Sequence, residues 1–143
     1  MISLKNIKLL IIATVLSVVF SSCAQNTAKK EAKDGDTKQS VVELISSEDL
    51  YAKLGDIQLI DVRTPNEFAE GYLKGAKMIN YFDNDFLEQM SKLDKNKELY
   101  VYCRSGNRSG KAAKKLKSMG FVKIYDLKGG ILSWKRKNLE IIK

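Results

Sequence analysis

The chain has 143 residues, a formal net charge of +8 from 25 Lys and Arg against 17 Asp and Glu, two Cys and no His. Without imidazole it builds neither a Cys-His nor a Ser-His-Asp catalytic unit nor the common histidine metal sites, and without a C-x-x-C pair it lacks a thioredoxin-type dithiol. The length suits one domain with a real core, and the excess charge, net +5 over residues 41–143, reads first as solvated surface.

Lys5 and Lys8 precede an apolar run from Leu9 to Phe20 broken only by Thr14 and Ser17, and Ser21 and Ser22 lead to Cys23. A basic start and an apolar stretch too short for a comfortable span make a secretory signal over residues 1–22. Small residues directly before a cysteine predict the lipoprotein type, cleaved before Cys23 with lipid on its sulfur. Phe20 departs from the more usual Leu, and the competing reading is an uncleaved anchor with a free Cys23. Either way the expectation is a membrane-tied domain outside the cytoplasm, in the periplasm of a bacterial cell envelope, which argues against a nucleic-acid partner. Residues 24–40 carry no large apolar side chain, so 23–40 reads as a flexible tether.

From Val41 apolar clusters recur to the end of the chain, giving a domain over 41–143. Val41–Ile45 predicts a strand, and Ser46 or Ser47 caps a helix whose apolar face is Leu50 and Leu54. Ile57–Val62 is a second strand. Thr64-Pro65-Asn66-Glu67 is a capping-box arrangement opening a short helix with Phe68, ended by Gly71. Lys77–Asn80 is a short strand, Asp83–Leu93 a helix with Phe86, Leu87 and Met90 inward, and Glu98–Tyr102 a strand. In the helix Lys111–Met119, Ala112, Ala113, Leu116 and Met119 oppose Lys111, Lys114, Lys115 and Lys117, and Gly120 ends it. Phe121–Leu127 is the last strand, and Gly129-Gly130 opens a final helix containing Trp134, read as a core anchor. Such alternation predicts an α/β fold with a mostly parallel central sheet and helices on both faces.

The chemistry concentrates in Cys103-Arg104-Ser105-Gly106-Asn107-Arg108-Ser109, between the strand ending at Tyr102 and the next helix. A helix start offers unpaired N–H groups, Gly106 lets the backbone curl so that they converge on the sulfur, and Arg104 and Arg108 add positive charge. All three favour thiolate, the reactive form. A buried structural cysteine is the bland alternative, but so polar a segment makes a poor apolar burial site.

This strand, loop and helix resembles the active-site loop of the rhodanese family of sulfurtransferases. Asp61-Val62-Arg63 with Glu67, the Gly75-Ala76 turn, and Leu127-Lys128-Gly129-Gly130 with Trp134 resemble further family motifs, in family order. The family often has His where Tyr72 stands, outside the loop. The resemblance implies a single-domain rhodanese-like fold in which Cys103 carries sulfur as a persulfide. Arg104, Ser105, Gly106, Asn107, Arg108 and Ser109 would hold an anionic donor such as thiosulfate, with a thiol or cyanide as acceptor and no cofactor or metal. Asp61 and Arg63 read as structural support near the active end of the sheet. Two alternatives stand beside the sulfurtransferase: a non-catalytic sulfur carrier or binding module, and a phosphatase or arsenate reductase of the related fold. Phosphatases of that fold place one more residue between the cysteine and the arginine than separates Cys103 from Arg108, so the shorter loop here suits a single sulfur.

Overall fold

The computed structural model describes residues 40–143; the expected signal segment, Cys23 and the tether as far as residue 39 lie outside the described residues. In chain order the elements are β1 (Val41–Ile45), α1 (Ser47–Lys53), β2 (Gln58–Asp61), α2 (Pro65–Ala69), β3 (Lys77–Met78), α3 (Phe86–Ser91), β4 (Leu99–Tyr102), α4 (Asn107–Ser118), β5 (Lys123–Leu127) and α5 (Gly130–Arg136). The five strands form one sheet in the order β1-β5-β4-β2-β3. Every pairing in it is parallel.

Helices cover both faces. On one, Ile60, Val101 and Ile124 pack with Phe86 and Met90 of α3 and Ala112, Ala113 and Leu116 of α4. On the other, Leu59, Tyr100 and Tyr102 pack with Leu50 of α1 and Ile131 and Trp134 of α5. The central strand β4 is therefore buried at all four residues, which is why Leu99-Tyr100-Val101-Tyr102 reads as an unbroken apolar run. Trp134 is fully buried, its indole N–H donating to the Glu140 carbonyl at 2.9 Å.

The local signals hold where capping chemistry sets them. Ser46 caps α1, its side chain accepting the Asp49 N–H, and the Thr64/Glu67 capping box opens α2 with Pro65 in its first turn. Periodicity misplaced other boundaries. Helix α4 starts at Asn107 rather than Lys111, because Gly106 at φ +98° turns the chain directly into helix and the Gly110 N–H already reaches the Gly106 carbonyl at 3.0 Å. Its apolar face marks where it meets the core, not where it starts. Helix α3 is shorter than Asp83–Leu93, and Leu87 is 43% exposed rather than inward. Phe86 and Met90, four apart, already make its inward stripe, and Leu87 is turned off it. Strand β5 starts two residues after Phe121, since the Val122 N–H donates outside the sheet to the Lys95 carbonyl.

The topology also creates a crevice. Helix α2 leaves β2 toward β3, whereas α4 leaves the adjacent β4 toward β5, so the connections diverge from the carboxyl ends of neighbouring strands. Ligand sites of open parallel sheets lie at such points.

Candidate active site

Cys103 directly follows β4 at this divergence. Its Sγ accepts the Gly106 N–H at 3.1 Å and the Ser109 hydroxyl at 3.5 Å, and the residue is 1% exposed. Burial alone would raise the thiol pKa. The Ser109 hydroxyl and the N–H groups of Ser109, Ser105 and Gly106 outweigh it and hold the thiol below its ordinary value. The convergence of loop N–H groups expected from sequence is thus present, with a side-chain donor added.

The loop's carbonyls are held on the opposite side. Those of Cys103 and Arg104 accept the N–H groups of Ile131 (2.9 Å) and Leu132 (3.1 Å) in the first turn of α5. That contact explains the second glycine of Gly129-Gly130. A β-carbon at residue 130 would stand 2.4 Å from the Cys103 carbonyl oxygen, and its φ of +59° is itself a conformation that L side chains rarely adopt.

Arg108, in the first turn of α4, is clamped across the crevice. Its Nη1 and Nη2 donate to Glu67 Oε2 and Oε1 at 2.6 and 2.7 Å. Glu67 also accepts the Thr64 N–H and hydroxyl through Oε2, so one carboxylate caps α2 and ties it to α4. The Arg108 guanidinium pulls the Glu67 carboxyl down to about 2. The same guanidinium lies 5.7 Å from the ring centre of Phe82, which is 64% exposed. Arg104, Ser105 and Asn107 face solvent, while Ser109 is fully buried.

Asp61 and Arg63 form a buried ion pair at the end of β2. Arg63 Nε reaches both Asp61 carboxylate oxygens at 2.9 and 2.8 Å, and Nη2 reaches Oδ2 at 2.6 Å and the Gly71 carbonyl at 2.8 Å. Tyr102, under the Arg63 guanidinium at 5.7 Å, accepts the Leu73 N–H at 3.2 Å. These contacts join the ends of β2 and β4 to the segment before β3. Among the described residues, no three metal-ligating side chains converge.

One contact and one residue escaped the sequence reading. Glu67 was legible as a cap but not as the partner of Arg108, a contact made across the sheet order. Asp126 of β5, 4% exposed, lies behind Ser109. Its signal was present: in Phe121–Leu127 it shares the inward face with Ile124, where an acidic side chain is out of place.

The sequence model of the rhodanese-like domain family matches residues 46–137. The chain is 35% identical over 105 residues to a sulfurtransferase of Allochromatium vinosum, covering 71% of this chain and 96% of that protein. It is 34% identical over 117 residues to the tRNA uridine(34) hydroxylase of Acaryochloris marina, covering 76% of this chain but 37% of that protein. The crystal structure of a rhodanese-related protein from Thermoplasma volcanium superposes with a TM-score of 0.64 at 30% identity, covering 70% of this chain and 97% of that one.

Proposed function

Because the chain belongs to the family of rhodanese-like domains, we propose that it is a sulfurtransferase in which Cys103 carries the sulfur. One observation carries this reading: the only thiol among the described residues directly follows the central strand and is held below its ordinary pKa by donors aimed at it. A thiolate formed without a base attacks the outer sulfur of an anionic donor such as thiosulfate. The donor's S–S bond breaks, sulfite leaves with the bonding electrons, and Cys103 becomes a persulfide whose negative terminal sulfur lies near the same donors. An acceptor thiolate then takes that sulfur and regenerates the Cys103 thiolate.

The phosphatase alternative is disfavoured by the early start of α4, which leaves only Arg104, Ser105 and Gly106 as loop, and by the engagement of Arg108 with Glu67. The activity named for the longer tRNA-modifying relative is not carried over, since most of that protein lies outside the match.

The test is intact and peptide mass. After incubation with thiosulfate the Cys103 peptide gains one sulfur atom, which cyanide or a thiol reductant removes, and turnover to either acceptor follows. Cys103→Ser keeps the fold and loses both the added mass and the turnover. Sulfur loading without turnover would make the domain a carrier, and faster hydrolysis of aryl phosphates than sulfur transfer would overturn the reading.

The proposal extends to location. Residues 1–22 act as a lipoprotein signal and the mature chain is tied to the membrane by lipid on Cys23, facing the periplasm. Cys23→Ser then releases a folded, unlipidated domain. A membrane form that begins at Met1 with an unmodified Cys23 would disprove the anchor.

A further inference from the structure

We propose that Asp126 is a positioning residue for the reactive sulfur, setting through the Ser109 hydroxyl how strongly that hydroxyl donates to Cys103. The inference rests on the reading of Cys103 as the reacting group, but its test does not depend on sulfur transfer.

The geometry places Cys103, Ser109 and Asp126 in succession at the first turn of α4. The Ser109 hydroxyl, fully buried, donates to Cys103 Sγ. The Asp126 carboxyl lies against the same turn, since a β-carbon at Gly110 would stand 3.4 Å from its Oδ2. Asp126 Oδ1 is buried with no hydrogen-bond partner, and the Ser109 hydroxyl is the side-chain group that acts on this carboxyl. Among the described residues no cation pairs with this carboxyl. Leu44 of β1 and Val101 of β4 stand beside Asp126 in register, and α4 presents Ser109 and Gly110. Lys123 on the same strand is taken by Glu43 of β1, and no ion pair among the described residues includes Asp126. Burial lifts the carboxyl to about 6, and the Ser109 hydroxyl pulls it back only in part.

Ser109 has one proton to donate. When Asp126 is protonated, its own O–H donates to Ser109 Oγ and the Ser109 proton stays directed at the sulfur, giving a chain of donors that ends on the thiolate. When Asp126 is ionised, it competes for that proton and adds a like charge behind the sulfur. The two acids are therefore coupled, each ionisation opposing the other. The sulfur therefore loses part of its support as pH rises through about 6 and the Asp126 carboxyl ionises.

The experiment is the pH dependence of Cys103 alkylation by iodoacetamide in the full chain, read by peptide mass separately from Cys23. Asp126→Asn should lower the Cys103 midpoint by about half to one pH unit. Ser109→Ala should raise the midpoint, and adding Asp126→Asn to it should shift the midpoint less than in the wild-type background. An unchanged midpoint in Asp126→Asn, or an equal shift in both backgrounds, overturns the proposal. Should Asp126→Asn fail to fold, carbon-13 NMR of the wild-type carboxyl decides. Its midpoint should fall when Cys103 is capped as a neutral methyl disulfide, and an unmoved midpoint overturns the proposal. A chain that shows this coupling but never gains sulfur from thiosulfate would retain the inference and lose the sulfurtransferase reading.

Discussion

At the scale of single residues, the two arginines near Cys103 differ sharply. Arg104 is exposed and in no ion pair among the described residues, so it contributes a screened surface charge. Arg108 is held bidentately by a carboxylate that also caps α2. Arg108→Ala removes the tie between α2 and α4 and leaves the Glu67 carboxylate uncompensated beside the loop, so it should cut thiosulfate kcat/KM by about 10- to 100-fold, while Arg104→Ala changes it little at physiological salt. Equal losses in both variants would show that the donor feels net charge rather than the α2–α4 tie. Asp126 makes a prediction about stability. Its folded pKa of about 6 exceeds the ordinary value of 3.8, so ionising the buried carboxyl opposes folding. The stability it permits is complete below about pH 4 and is lost as pH rises through 6. Asp126→Asn should thus gain about 1–3 kcal/mol at pH 8 and nothing at pH 4, measured by urea unfolding at both.

At the scale of elements, the site is a joint between two helix starts. The first turn of α4 supplies donors to the sulfur, and the first turn of α5 binds the loop's carbonyls from behind. Peptide groups of the loop are thereby sorted, N–H toward Cys103 and C=O toward α5. Gly130→Ala forces a methyl into the Cys103 carbonyl and should cost about 2–5 kcal/mol by denaturant unfolding, with slower alkylation of Cys103 in whatever folds. Normal stability in that variant would mean that α5 can back away without harm. This joint was only half legible in the sequence. The Cys103–Ser109 segment announced its donors because cysteine, glycine and a following helix lie together in the chain. The Gly129-Gly130 pair was recognisable as a motif, but its reason, an approach to residues 103 and 104, is a tertiary contact. The strands were legible for a different reason: layers on both faces leave Leu99–Tyr102 no polar position. Helix ends without a capping side chain, as at Asn107, were not.

At the scale of the whole molecule, the strand order brings the two ends of the domain together. β1 pairs with β5 along its full length, from Val41 beside Lys123 to Ile45 beside Leu127, and β5 joins β4 directly. The mostly apolar run Val41–Ile45 ahead of the Ser46 cap made β1 readable, whereas its neighbour is more than 70 residues away along the chain and nothing local could name it. The pairing also fixes an order of events. A growing chain, emerging from a ribosome or threading a translocation pore, presents its first strand long before the partner exists, and it exposes Cys103 before the helix that grips the carbonyls behind it. Partial chains therefore have the thiol without its cradle. Chains stopped before Lys123 should remain open to protease, and protection should arrive abruptly once residues through Trp134 are free, as expected where the sequence-distant pairings close last. On the sulfurtransferase reading, Cys103 alkylation in such stopped chains should be as slow as that of an ordinary thiol and quicken only once α5 is free to close on the loop carbonyls.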